Sequence, residues 1–157
     1  MAFAGIRPQE VTRLTWNDIF LDTPEKVIKV RSRASKTGGT RQVNICPALE
    51  AWLRMVPHQE DNSICPPQWP VRWAGLRYRA GWDVNGKQWP NDALRHTFAS
   101  YHVLIHRNIP QLQLEMGHSS STQIMHRYMN LSGVDQEMAE RFWNLLPEED
   151  FQNCQNT

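Results

Sequence analysis

The sequence predicts a mainly α-helical domain with a small antiparallel β-sheet. Apolar residues recur at helical spacing over most of the chain, and one pair of runs rich in β-branched residues flanks a Gly-Gly turn. At 157 residues with 40% hydrophobic composition, the chain has the size of one domain that buries roughly 70% of its unfolded surface and needs no staples.

The elements follow in order. Pro8 opens RPQEVTRLTWNDI, where Val11, Leu14 and Ile19 approximate helical spacing, so a short helix is expected over about 8–17. KVIKVRS (26–32) and RQVNIC (41–46) flank SKTGGT, whose Gly38 and Gly39 supply the positive φ of a tight turn; this is a β-hairpin with a basic tip. Pro47 starts PALEAWLRMV, with Leu49, Trp52, Leu53 and Val56 on one helical face. Residues 57–70 contain four prolines and read as an ordered loop, leading into a Trp- and Arg-rich helix at about 68–81. From 91 to 106, Leu94, Phe98, Tyr101 and Ile105 mark another helix, and Pro110 begins a shorter one that Gly117 is suited to end. Ser119 can cap a helix running through Met129. The last helix, about 134–146, carries an apolar stripe of Met138, Phe142, Trp143 and Leu146, which must pack on something. The sequence has no internal repeat and no low-complexity stretch.

Composition excludes several classes. No run of 18 apolar residues exists and the first five residues are too short for a signal h-region, so neither membrane insertion nor secretion is expected. Cys46, Cys65 and Cys154 are odd in number and form no CxxC pair, which argues against a disulfide framework or zinc ribbon and for a reducing cytoplasm. The net charge of +1 hides an asymmetry: residues 1–130 carry 16 basic and 10 acidic side chains (+6), residues 131–157 one and six (−5). Lys26 to Arg41 holds six cations and no carboxylate, a local field that attracts phosphate.

The residues that carry chemistry are widely separated: Arg7 in GIRPQE, Lys36 in the hairpin, Arg95 in ALRHTFASYH, His118 in MGHSSS and Tyr128 in MHRYMN. In this order and with these flanks, from about Phe3 to Met129, they resemble the catalytic domain of the tyrosine recombinase (phage integrase) family. Gly5 to Glu10 matches the family's first arginine motif, Arg41 to Ile45 its return strand after the hairpin lysine, Leu94 to Ala99 its L-R-H-T-F-A element, and Gly117 to Ser120 its G-H-S-S element.

The resemblance implies a site-specific DNA recombinase or integrase that acts on double-stranded DNA without metal or other cofactor. Tyr128 would attack a phosphodiester to form a 3′-phosphotyrosyl bond, conserving its energy for religation. Arg7 and Arg95 would bind the nonbridging oxygens with their guanidinium forks, His118 would hydrogen-bond one of them, and Lys36 would protonate the departing 5′ oxygen. Arg33 and Arg41 are rival donors for that proton. Glu10, three residues after Arg7 on the same helical face, is expected to position the guanidinium or to form a surface ion pair. His96 reads as a packed structural histidine, and Tyr101 as a packing residue more than as a rival nucleophile.

The chain departs from the family pattern in three places. Asp92 stands where many members carry His or Lys, and it is expected to cap the following helix, leaving Arg95 free. Tyr128 follows His118 by ten residues, one more than the commoner spacing. The first helix and the DNA-clamping N-terminal domain found ahead of Arg7 in the family are expected to be missing, so that residues 1–157 form one catalytic domain ending in an acidic helix and tail at 131–157. That helix resembles the family segment that docks on a neighbouring protomer. Two alternatives stand beside the enzyme: a catalytically silent DNA-binding or assembly module of the same fold, and, far behind it, a metal hydrolase using His102 and His106 at i, i+4.

Overall fold

The computed structural model describes residues 1–35, 39–118 and 133–148. Helix α1 (Pro8–Val11) is less than half as long as expected, because the chain restarts at Thr15 as a 3-10 turn over Trp16–Asp18. The Asp18 carboxylate causes the restart: it accepts from the Thr15 amide at 3.1 Å and the Thr15 hydroxyl at 3.0 Å, closing a cap where a helix would continue. Strand β1 (Ile19–Phe20) follows directly, then β2 (Val27–Val30) and β3 (Arg41–Asn44). The three form an antiparallel sheet in the order β1-β2-β3, with Val27 opposite Asn44 and Val30 opposite Arg41 across the expected hairpin. Strand β1 was not predicted. At two residues it is too short to show the alternation by which a strand is recognised, and its pairing of Ile19 with Ile28 and Phe20 with Val27 is a tertiary event. The hairpin tip, 36–38, lies outside the described residues.

Helices α2 (Pro47–Met55), α3 (Trp69–Arg79), α4 (Ala93–His106) and α5 (Ile109–Met116) lie where the sequence puts them, α2 and α4 by apolar spacing, α3 by composition, α5 by Pro110 and Gly117. The 119–129 helix falls outside the described residues, and α6 (Gln136–Trp143) closes the described chain, capped by the Asp135 carboxylate. Among the described residues, no helix is long and apolar enough to cross a membrane.

Two buried clusters hold these elements. An aliphatic one, with Ile6, Leu14, Ile28, Val30, Val43 and Ile45, fills the space between the sheet, α1 and α2. An aromatic one, with Phe98, Ala99, Leu112 and Met116, joins α4 to α5 and receives Trp143 from α6. Gly5 bridges the two: it has φ +56°, a Cβ there would overlap the Phe98 ring, and so the N-terminal segment can run directly against α4.

The apolar stripe of α6 packs within the chain. Phe142 stacks on Tyr101 at 4.6 Å and on Phe3 at 4.8 Å, while Trp143 sits edge-on to Phe98 and donates to the Tyr101 carbonyl at 3.4 Å. Met138, Leu145 and Leu146 remain exposed.

Candidate functional site

Helix α5 is closed by Gly117, whose φ of +61° terminates the helix and leaves three successive carbonyls without helical partners among the described residues. Each takes one arginine from a different part of the chain. Arg41 of β3 donates Nε to the Glu115 carbonyl at 2.7 Å, Arg95 of α4 donates Nη2 to the Met116 carbonyl at 2.5 Å, and Arg7 donates Nη2 to the Gly117 carbonyl at 3.3 Å. The negative end of the helix dipole faces the three guanidiniums, so orphan acceptors and field act together. Two of the three are the arginines singled out from the sequence motifs.

Glu10 is the second anchor. Fully buried, it accepts Arg7 Nη1 at 3.2 Å and the Arg7 amide at 3.1 Å, and it takes both ends of the Arg41 fork at 3.1 and 2.6 Å. Both oxygens are thus occupied by charge-assisted bonds, the arrangement that makes a buried carboxylate tolerable. Glu10 therefore positions the Arg7 guanidinium, and the surface ion pair that was the other expectation does not describe it. Gly117 matters here a second time: a Cβ on it would lie 3.0 Å from Arg41 Cδ, so a side chain at that position would press on the clamp.

Arg95 is 4% exposed and donates Nη1 to the Gly5 carbonyl. Its Nη2 lies 2.9 Å from His118 Nε2. A guanidinium has no acceptor, so Nε2 accepts this bond and the imidazole proton of the neutral ring is assigned to Nδ1. His118 is thereby fixed against Arg95, with its own amide donating to the Gln113 carbonyl at 3.1 Å.

Asp92 departs from its expected role. It occupies the residue before α4 and its carbonyl accepts from His96 N at 2.9 Å, but its side chain makes no cap bond. The backbone is left-handed there, at φ +55°, whereas side-chain capping needs an extended residue. No ion pair joins Asp92 to Arg95 among the described residues. Asp92 instead lines an open cleft of about 590 Å³ together with Arg7, Arg95, Arg77, Trp73 and Trp89.

The rival donors are both drawn onto carboxylates, Arg41 onto Glu10 and Arg33 onto Asp18 at 3.4 Å. Lys36 and Tyr128 lie outside the described residues. Tyr101 is engaged in the α4–α6 packing as expected. His102 and His106 have ring centres 4.7 Å apart, and burial together with the neighbouring His106 lowers the His102 pKa to about 4. Among the described residues no group of three or more His, Cys, Asp or Glu side chains could hold a metal ion.

Arg41 is the residue whose part the sequence concealed. Its place on the return strand was legible, but its capture by Glu10 and the α5 terminus depends on segments 31 and 74 residues away.

Comparison with known proteins places the chain. The model of the phage integrase family matches residues 1–133. No curated protein sequence matches it. Among solved structures, XerA recombinase is 19% identical with a TM-score of 0.60, the match covering 91% of this chain and 54% of that one. The Tn1549 transposon integrase in complex with transposon right end DNA is 19% identical at a TM-score of 0.59, over 89% of this chain and 54% of that one. XerH site-specific recombinase bound to palindromic difH substrate is 19% identical at a TM-score of 0.51, over 89% and 42%. At these identities the likeness is one of fold, that of the tyrosine recombinase catalytic domain. The chain spans about half the length of these structures.

Proposed function

The chain belongs to the phage integrase family, and we propose from that premise that it is a site-specific DNA recombinase that cleaves and rejoins double-stranded DNA through a 3′-phosphotyrosyl bond on Tyr128. The observation that carries the proposal is the convergence of Arg7 and Arg95 on one helix end, each braced from behind and both lining one cleft. Arginines held this way incur little further ordering cost on meeting an anion, and their fork geometry suits the two nonbridging oxygens of a phosphodiester.

In the reaction, the Tyr128 oxygen, its phenolic proton released to solvent, bonds to phosphorus as the bond to the 5′ oxygen breaks, and Lys36 delivers the proton that lets the 5′ oxygen leave as a hydroxyl. Attack by the 5′ hydroxyl of another strand reverses the step and returns the tyrosine. Arg7 and Arg95 stabilise charge on the pentacoordinate phosphorus, Glu10 holds Arg7, and His118 either orients Arg95 as an acceptor or, with a proton on Nε2, donates to the phosphate when DNA is bound. No metal or small-molecule cofactor takes part. The pairing of Arg33 and Arg41 with carboxylates supports Lys36 as the donor. The setting would be a bacterial or phage-derived cytoplasm, on DNA. Self-association would use the exposed Met138 of α6 and Leu145 and Leu146 just beyond it, since Phe142 and Trp143 face inward.

One observation favours a second reading, a silent DNA-binding or assembly module: Asp92 lines the cleft where a phosphate would enter. A nicked suicide duplex followed by mass spectrometry separates the two. A DNA adduct on Tyr128, lost in Tyr128→Phe and Arg95→Ala, is the expected result. DNA binding without an adduct would replace the enzyme by the module, and neither adduct nor binding would remove both.

A further inference from the structure

The cleft beside the two arginines has other lining residues that phosphate binding does not use. Helix α3 has no fully buried residue, yet its indoles are assembled into a cluster: Trp69 stacks on Trp73 at 5.6 Å, and Trp89 sits edge-on to Trp73 at 5.6 Å and to Trp82 at 5.4 Å. The loop that returns Trp89 is held in place by Asp83, which accepts from the Trp89 amide at 3.0 Å and from Arg77 Nε at 2.7 Å. That amide and the Arg77 guanidinium hold the Asp83 carboxyl below its ordinary range. Trp73, Trp89 and Arg77 thus form a braced part of the lining of the cleft that Arg7 and Arg95 also line.

The charges sort what can lie there. Arg77 is neutralised by Asp83, and Asp92 adds a carboxylate with no ion-pair partner among the described residues, so the charges of the lining favour one anion, on Arg7 and Arg95, over a second. Its volume, about 590 Å³, falls within the roughly 300–1,000 Å³ of small-molecule sites. Aromatic walls beside a phosphate cradle suit a nucleobase, because every base presents a π-face whatever its sequence.

We propose that these indoles form a nucleobase subsite: with the scissile phosphate on Arg7 and Arg95, the adjoining nucleotide, unstacked from the duplex, lays its base against Trp73 and Trp89. The inference rests on the phosphate-site reading above. It gives the enzyme a sequence-tolerant grip on the nucleotide next to the break, with Asp92 disfavouring the neighbouring phosphate.

The test uses tryptophan fluorescence of the full chain titrated with two probes of equal charge, a 5′-phosphorylated thymidine trinucleotide and the same trinucleotide with abasic residues. The thymidine probe is expected to bind at least about five-fold more tightly, the lower end of base stacking on an aromatic side chain. Trp73→Leu should erase that difference while leaving the abasic affinity unchanged, and Arg95→Ala should weaken both probes. Since Trp73→Leu can loosen the cluster as a whole, Asp92→Asn provides a second reading: it should tighten the abasic probe several-fold and narrow the discrimination. Equal, Arg95-dependent affinity for both probes would overturn the subsite and leave the phosphate site standing. Binding of neither probe would overturn the phosphate site and the subsite with it.

Discussion

Glu10 and Asp18 lie eight residues apart, are sealed from solvent to the same degree, and each gather two arginines, yet the two arrangements differ in kind. The arginines on Glu10 are themselves nearly closed off, Arg7 at 17% and Arg41 at 9% exposure, and both go on to carbonyls of α5. Those on Asp18, Arg31 at 46% and Arg33 at 62%, stand in solvent on the hairpin. Burial of the carboxylate therefore does not set the role of the pair. Where the cations are enclosed, the pair is a brace that fixes geometry; where they are open, water and salt compete for them and the hairpin keeps its positive surface.

The largest effect that separates the two is expected from Glu10→Gln. Removing that charge strands two enclosed guanidiniums, and urea unfolding should show a loss of about 3–5 kcal/mol, with phosphate affinity falling as Arg7 loses its hold. A cost equal to that of Asp18→Asn would break the distinction.

His102 sharpens it by removing partners altogether, since its buried Nδ1 has no hydrogen-bond partner among the described residues. Its folded pKa of about 4 lies below the ordinary 6.5, so the unfolded chain takes up the proton first and stability falls as pH drops from about 6.5 towards 4. Partial solvent access limits the loss to about 2 kcal/mol, and a pH series of urea midpoints should show the slope flattened in His102→Phe.

Asp18→Asn should cost less at neutral pH, about 1–2 kcal/mol, because its arginines can turn to water. Burial pushes the Asp18 carboxyl up, but the Thr15 amide, Arg31, the Thr15 hydroxyl and Arg33 together hold it below 3.8. Its contribution is therefore present above that value and disappears as pH falls through the lowered one, so wild type and variant should converge in acid. Smallest is Arg31→Ala, under about 1 kcal/mol and diminishing as salt is raised.

These two clusters also mark how far the sequence could be read. Apolar periodicity located α2, α4 and α6, composition and the Pro110 and Gly117 boundaries located α3 and α5, and the β-branched runs located the hairpin, because each of those signals is local. Arg7, Arg95 and His118 were legible as motif residues, and the structure brings them together. What stayed hidden depends on distance along the chain. Arg41 was visible only as a spare cation, since Glu10 and Glu115 reach it through tertiary contact. The early end of α1 turned on the Asp18 side chain choosing Thr15, and Asp92 failed to cap because its backbone is left-handed, a property that a single residue type does not announce. The tryptophans of α3 read as a helix face, but their grouping with Trp82 and Trp89 needed the Asp83 turn.

The bond from Arg7 to the Gly117 carbonyl spans 110 residues. During synthesis at about 5–20 residues per second, the first arginine therefore waits roughly 6–22 s before its acceptor has been made, and Arg95 waits for the same helix end. A ribosome-bound chain therefore has no assembled arginine clamp over that interval.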